Sequence, residues 1–167
     1  DFAGNDGGGF YCGDTGQFDV RTNLTIINTK FSNNTANYAG GGLSLQMRDS
    51  QLINCTFENN IAYFGGSLVI KDTKTTNNQI INCTFINSTA STVLINSTVQ
   101  AIIDNFNNVE EFCKGKGGAI FTRDNLVSVI GCTFINCTGK EGGAVFWDGG
   151  DNYQRDNPSR HTGVMGD

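Results

Sequence analysis

Gly117-Gly118-Ala119-Ile120-Phe121 recurs 25 residues later as Gly142-Gly143-Ala144-Val145-Phe146. Looser copies stand earlier, at Gly65-Gly66-Ser67-Leu68, Gly40-Gly41-Gly42-Leu43 and Gly7-Gly8-Gly9-Phe10. A second phrase precedes most of them: Ile53-Asn54-Cys55-Thr56-Phe57, Ile81-Asn82-Cys83-Thr84-Phe85 and Ile130-Gly131-Cys132-Thr133-Phe134, with the variant Ile27-Asn28-Thr29-Lys30-Phe31. Self-similarity at a period of about 20–50 residues marks a stacked-repeat architecture.

Within each phrase the apolar residues alternate, as Ile53, Cys55 and Phe57 do against Asn54, Thr56 and Glu58. Alternation of that length reads as a half-buried strand. A second alternation follows each glycine corner, as in Leu43 and Leu45 or Leu68 and Ile70. A repeat of this size, with short strands and no helical period, reads as one coil of a parallel β-helix. Equivalent strands then stack at about 4.8 Å. The spacing predicts an all-β solenoid of about six coils of about 25 residues over 1–147, with a loop insertion near 13–25. In this count Ser91-Thr92-Val93-Leu94 stands in for a glycine corner, and a fifth coil runs through Ile103, Phe106 and Asn108. Residues 148–167 are a polar loop leading toward a further strand at Val164.

Stacking predicts which side chains meet. Phe31, Phe57, Phe85 and Phe134 form an internal aromatic ladder, with an offset-stacking gain beyond simple burial. Asn33, Asn59, Asn87, Asn108 and Asn136 each lie two residues after a Phe. They are placed at a bend, bonding amide to amide between coils. The glycines fit a corner that needs positive φ or close backbone approach.

The bulk composition narrows the function. Glycine is abundant at 22 residues against a single proline, so it is positional and not a mark of a disordered linker. A net charge of -5 opposes nucleic-acid binding, which needs clustered Lys and Arg. No apolar run is long enough to span a membrane. The chain starts within one repeat and stops shortly after another, and it reads as a piece of a longer protein.

Six cysteines are present: Cys12, Cys55, Cys83, Cys113, Cys132 and Cys137. Cys55 and Cys83 fall at the same place in adjacent coils, within disulfide reach, with a stack of reduced thiols as the competing reading. Cys113 and Cys137 precede neighbouring corners by four and five residues and are the better candidates for a bridge. Cys132 has no aligned partner in the fifth coil. His161 is the sole histidine, so no metal site and no cofactor are expected. Seven N-x-S/T sequons begin at Asn23, Asn33, Asn54, Asn82, Asn87, Asn96 and Asn136. They are glycosylation candidates if the chain is secreted, while the competing reading is that Asn and Thr serve the fold.

Candidate catalytic groups are sparse. Asp148, Asp151, Arg155, Asp156 and Arg160 cluster in the terminal loop, and Glu110 and Glu111 lie in another irregular stretch. No acidic residue recurs on a strand face, and these positions read as solvated loops. Asp148-Gly149-Gly150-Asp151-Asn152 lacks the terminal Glu of a calcium loop. Gly4-Asn5-Asp6-Gly7-Gly8-Gly9 precedes no helix, which excludes a phosphate cradle.

The pairing of GGA[ILV] with a Phe-containing Asn motif resembles the repeats of chlamydial polymorphic outer-membrane proteins, whose passenger domains carry GGA[ILV] and FxxN. Gly117 to Ile120 and Gly142 to Val145 match the first motif; Phe31 with Asn34 and Phe57 with Asn60 match the second. Phe85 with Ser88 and Phe134 with Cys137 depart from it. The chain is also similar to right-handed β-helix proteins of the pectin-lyase-like class, among them protist surface proteins and adhesin-like proteins of methanogens. The resemblance implies a right-handed β-helix in an extracellular or cell-surface setting. It implies a non-enzymatic structural or adhesive segment of a larger assembly. Its partners are then other coils or subunits, glycans or host-cell surface proteins, met through loops at 13–25, 71–79, 104–116 and 148–163. Relatives that cleave acidic polysaccharides imply the alternative, a polysaccharide lyase or glycoside hydrolase.

Overall fold

A computed structural model describes residues 1–4, 6–13, 23–46, 49–71, 77–93, 113–123, 126–148 and 164–166. Every regular element among them is a strand, and every strand pairing is parallel. The strands form four sheets. Sheet I holds β3 (Thr25–Ile27), β7 (Gln51–Ile53), β11 (Asn77–Ile81), β15 (Leu126–Ile130) and β18 (Val164–Gly166). Sheet II holds β4 (Lys30–Ser32), β8 (Thr56–Glu58), β12 (Thr84–Ile86) and β16 (Thr133–Ile135). Sheet III holds β1 (Phe2–Ala3), β5 (Thr35–Ala36), β9 (Ile61–Ala62) and β13 (Thr89–Ala90). Sheet IV holds β2 (Phe10–Gly13), β6 (Leu43–Gln46), β10 (Leu68–Ile70), β14 (Ile120–Arg123) and β17 (Val145–Asp148). The chain visits sheets I, II, III and IV in that order and adds one strand to each on a full pass; after β16, sheet III receives only the isolated Thr89–Thr138 bridge before β17. We call one such pass a rung.

The repeated phrase dictates the inner packing. Phe31, Phe57, Phe85 and Phe134 are register partners in sheet II. Their rings stack at centroid separations of 4.9, 4.8 and 5.1 Å, tilted by no more than 10°. These separations match the strand spacing, so each ring sits over the one before it. Leu52 and Ile80 of sheet I and Leu43, Leu68, Ile70 and Ile120 of sheet IV complete one buried core with Phe57 and Phe85.

Bends between sheets fall where the sequence marks them. The first glycine of each corner, at Gly7, Gly40, Gly65, Gly117 and Gly142, has φ between 56° and 67°. Asn33, Asn59, Asn87 and Asn136 have φ of 51–55° and turn the chain out of sheet II. A second left-handed column, Asn28, Asn54, Asn82 and Gly131, turns it out of sheet I. Asn tolerates this conformation because its short polar side chain bonds locally.

The rung count corrects the sequence-based expectation. The corner at Gly65 bonds directly to the corner at Gly117, through Gly65 N to Lys116 O at 2.9 Å and Gly66 N to Gly117 O at 3.1 Å. Likewise β12 pairs with β16 and β11 with β15. Residues 91–116 therefore do not supply a fifth coil; they interrupt one rung between β13 and β14. The cause is visible in the stretch itself: it lacks the Asn-Cys-Thr-Phe phrase, and Ser91-Thr92 is not a glycine corner. Ile103, Phe106 and Asn108 lie outside the described residues.

Candidate functional site

Two surfaces present residues with chemistry, and one internal column carries reactive sulfur. The first surface is the outer face of sheet II. It shows Lys30, Thr56, Thr84 and Thr133 in one register row and Ser32, Glu58, Ile86 and Ile135 in another. Lys30 Nζ lies 2.5 Å from Glu58 Oε2, an exposed pair of small energetic weight. The two left-handed asparagine columns flank this face. Asn59 Nδ2 donates to Asn33 Oδ1 at 3.2 Å, and Asn87 Nδ2 donates to Asn59 Oδ1 at 3.0 Å. The expected amide ladder is present at these positions.

Five sequon asparagines, Asn33, Asn54, Asn82, Asn87 and Asn136, sit in these columns with exposed side chains. Asn23 is exposed as well, and Asn96 lies outside the described residues. The recurrence of N-x-T has a local cause. A left-handed Asn makes the bend, the next residue points inward, and a Thr opens the following strand. Asn28 and Asn59 make the same bends without a sequon, so the fold alone is sufficient to generate the pattern. Conformation, more than the amide itself, holds Asn82 in place. Asn82→Ala is expected to cost about 1–2 kcal/mol, whereas Asn82→Gly stays near neutral because Gly131 fills the next rung of the same column. Urea unfolding of the two variants checks this.

The FxxN asparagines face inward and are buried. Asn60 Oδ1 accepts from Asn34 N and Nδ2, both at 3.1 Å, while its own Nδ2 donates to Phe31 O at 2.9 Å and Ser67 Oγ at 3.2 Å. Ser67 and Ser88 hydroxyls meet at 2.6 Å. The departures from the motif occupy this same column: Ser88 replaces Asn one rung on, and Cys137 follows, its Sγ donating to Phe85 O at 3.6 Å. Residues that break the motif in sequence therefore keep its geometry.

The second surface is the outer face of sheet IV, which the sequence did not single out. Tyr63, Phe64, Val69, Cys113 and Phe121 form a separate buried cluster with Ala39, flanked by Tyr38 and Phe146. Phe64 meets Tyr38 at 4.8 Å edge-on and Phe121 at 4.9 Å. Two lysines border it. Lys71 Nζ lies 3.1 Å from Asp6 Oδ2 and 5.5 Å from the centre of the Tyr38 ring. Lys116 Nζ lies 3.2 Å from Glu141 Oε2 and 4.6 Å from the centre of the Phe146 ring. Asp6 Oδ1 and Ser44 Oγ are buried without a protein hydrogen-bond partner. The phenylalanine that closes the corner phrase, Phe121 and Phe146, was the available sequence signal for this cluster.

The cysteines follow the rungs, and one expectation is overturned. None of the six forms a disulfide. Cys113 belongs to the outer cluster and Cys137 packs against the inner core, so the bridge expected between them is not formed. Counting residues back from the corners paired them, but Cys137 precedes its strand-like bridge at Thr138 and faces the opposite side of the wall. Cys55 and Cys83 do align, as a reduced stack, and Cys132 joins them because its rung lies directly on that of Cys83. Cys55 N donates to Cys83 Sγ and Cys83 N to Cys132 Sγ, each at 3.4 Å. A hydrogen bond from the Cys83 thiol, helped by the Cys83 N–H, pulls the Cys132 thiol down to about 7. The same bond, reinforced by burial, pushes Cys83 well above the usual thiol range.

Among the described residues no group of three or more His, Cys, Asp or Glu is arranged to hold a metal. Among the described residues no helix is long and apolar enough to cross a membrane. Asp151, Arg155, Asp156, Arg160, His161, Glu110 and Glu111 lie outside the described residues, and so does the side chain of Asp148. No protein-family model, curated protein or solved structure matches the chain.

Proposed function

We propose that the chain is a right-handed parallel β-helix segment of a larger extracellular or cell-surface protein, acting as a structural or adhesive element and not as an enzyme. One observation carries this reading: the residues that recur are committed to joining one rung to the next. The stacked Phe rings, the Asn59–Asn33 and Asn87–Asn59 amides and the Asn60 network each span adjacent rungs. Such a rod gains stability by adding neighbour contacts and presents long faces to other coils, subunits, glycans or host-cell surface proteins. The strands flanking 14–22, 47–48, 72–76, 124–125 and 149–163 are all sheet IV to sheet I connections. Length varies along that edge and, most of all, at the interruption between β13 and β14; such connections are the usual location of binding segments.

A second reading, a polysaccharide lyase or glycoside hydrolase, has one feature in its favour. Asp6 and Lys71 set a carboxylate beside an ammonium on an outer face next to Tyr38, a pairing able to move protons. Incubation with pectin-like and alginate-like polymers separates the two. The structural reading predicts no unsaturated uronides and no new reducing ends, with Asp6→Asn indistinguishable from the unsubstituted chain. Turnover that Asp6→Asn abolishes contradicts it. Secretion from eukaryotic cells with enzymatically removable glycans on the exposed asparagine columns supports the extracellular assignment; retention as an unglycosylated chain contradicts it.

A further inference from the structure

We propose that the cysteine column is a thiol–disulfide exchange site, in which Cys132 takes up a small disulfide and Cys83 resolves it into a bond across adjacent rungs. The register Thr84 opposite Thr133 sets the preceding residues, Cys83 and Cys132, side by side in neighbouring rungs. Parallel neighbours lie about 4.8 Å apart, inside the roughly 4.4–6.8 Å that a disulfide spans between Cα atoms. Cys132 is half-buried, while Cys55 and Cys83 are 1% exposed, so attack from solvent begins at Cys132. Its sulfur accepts the Cys83 N–H, a contact that favours thiolate.

No other thiol has this setting. Cys12 is the register partner of Leu45. Cys137 follows Ser88 in its column, as the bridge between Thr89 and Thr138 shows. Cys113 lies in the outer cluster. Within the column, Cys55 is opposed on its other side by Thr29, so a bond between Cys83 and Cys132 leaves it reduced.

The chemistry balances without a metal. The Cys132 thiolate attacks one sulfur of the small disulfide RSSR; the Cys132–SR bond forms, the RS–SR bond breaks, and one RS⁻ leaves. Capping Cys132 removes the negative sulfur to which the Cys83 thiol donated, releasing that proton to solvent. Cys83 thiolate then attacks Cys132 Sγ, the Cys83–Cys132 bond forms and a second RS⁻ departs. Two protein thiols are oxidised and one RSSR is reduced to two thiols.

The test uses the full chain, oxidised glutathione as the probe, quenching with N-ethylmaleimide and peptide mapping. The expected product is a Cys83–Cys132 cross-linked peptide with no glutathione retained and Cys55 still reduced. With Cys132 titrating near 7, the rate rises about tenfold from about pH 6 to about pH 8, where an ordinary thiol would rise nearly a hundredfold. Cys83→Ser halts the reaction at a Cys132–glutathione adduct, and Cys132→Ser or Cys132→Ala leaves Cys55 and Cys83 unmodified. Slow labelling of Cys55 by N-ethylmaleimide in each variant shows that the stack is folded. Glutathione persisting on Cys132 of the unsubstituted chain overturns the proposal. So does unreactive Cys132, or a Cys55–Cys83 bond formed at the same rate in Cys132→Ser.

Discussion

Phe57→Ala is expected to destabilise the chain by about 4 kcal/mol in urea unfolding, a large fraction of the about 5–15 kcal/mol that holds an ordinary protein folded. Phe57 is fully buried, with Phe31 on one face at 4.9 Å and Phe85 on the other at 4.8 Å. Its removal deletes the largest fully buried side chain of that rung and leaves two ring faces with no partner. The cavity cannot close, because the rungs above and below are held apart by backbone hydrogen bonds at the strand spacing. Phe134→Ala is the control. Among the described residues that ring, half-buried, stacks only on Phe85 at 5.1 Å, so its loss is expected to cost about half as much. Equal losses would mean the column does not act as a stack.

Gly66→Ala is expected to cost about 3 kcal/mol or more, at the upper end for overpacking. A Cβ at Gly66 would collide with the carbonyl oxygen of Gly118 and lie 2.5 and 2.6 Å from the backbone C and N of Thr89. All three atoms are main chain, so no rotamer change relieves the clash, and the neighbouring rung must move. Gly143 fills the same place in the corner phrase, yet the nearest atom to its Cβ is Cys137 O at 3.7 Å. Gly143→Ala is therefore expected to change stability by less than about 1 kcal/mol. One motif position thus has opposite sensitivities, set by whether another corner lies against it.

These contrasts show how far the sequence could be read. The Phe ladder was legible because a strand-length phrase repeats with the same residue at the same place, and stacking is the only way to bury such a residue on every pass. The corners were legible because paired glycines satisfy two demands, positive φ at Gly65 and close approach at Gly66. The rung count was not. Residues 91–116 happen to span one repeat length, and counting cannot distinguish a coil from an insertion of equal size. The same arithmetic hid the partnership of Cys83 with Cys132, which are 49 residues apart in the chain and adjacent in the stack. The outer cluster of Phe64, Phe121 and Phe146 was missed because strand alternation assigns those positions to solvent. Sequons were legible as a pattern, but their recurrence has a conformational cause in Asn54, Asn82, Asn87 and Asn136.

Ring-to-ring nuclear Overhauser effects between Phe85 and Phe134, in a sample with selectively labelled phenylalanine, test the stacking most directly. The stack predicts strong cross-peaks for this pair, whose centroids lie 5.1 Å apart, alongside those of Phe57 with Phe85. Absence of the Phe85–Phe134 cross-peaks, with Phe85 contacting Phe106 instead, would contradict it and restore a rung between them.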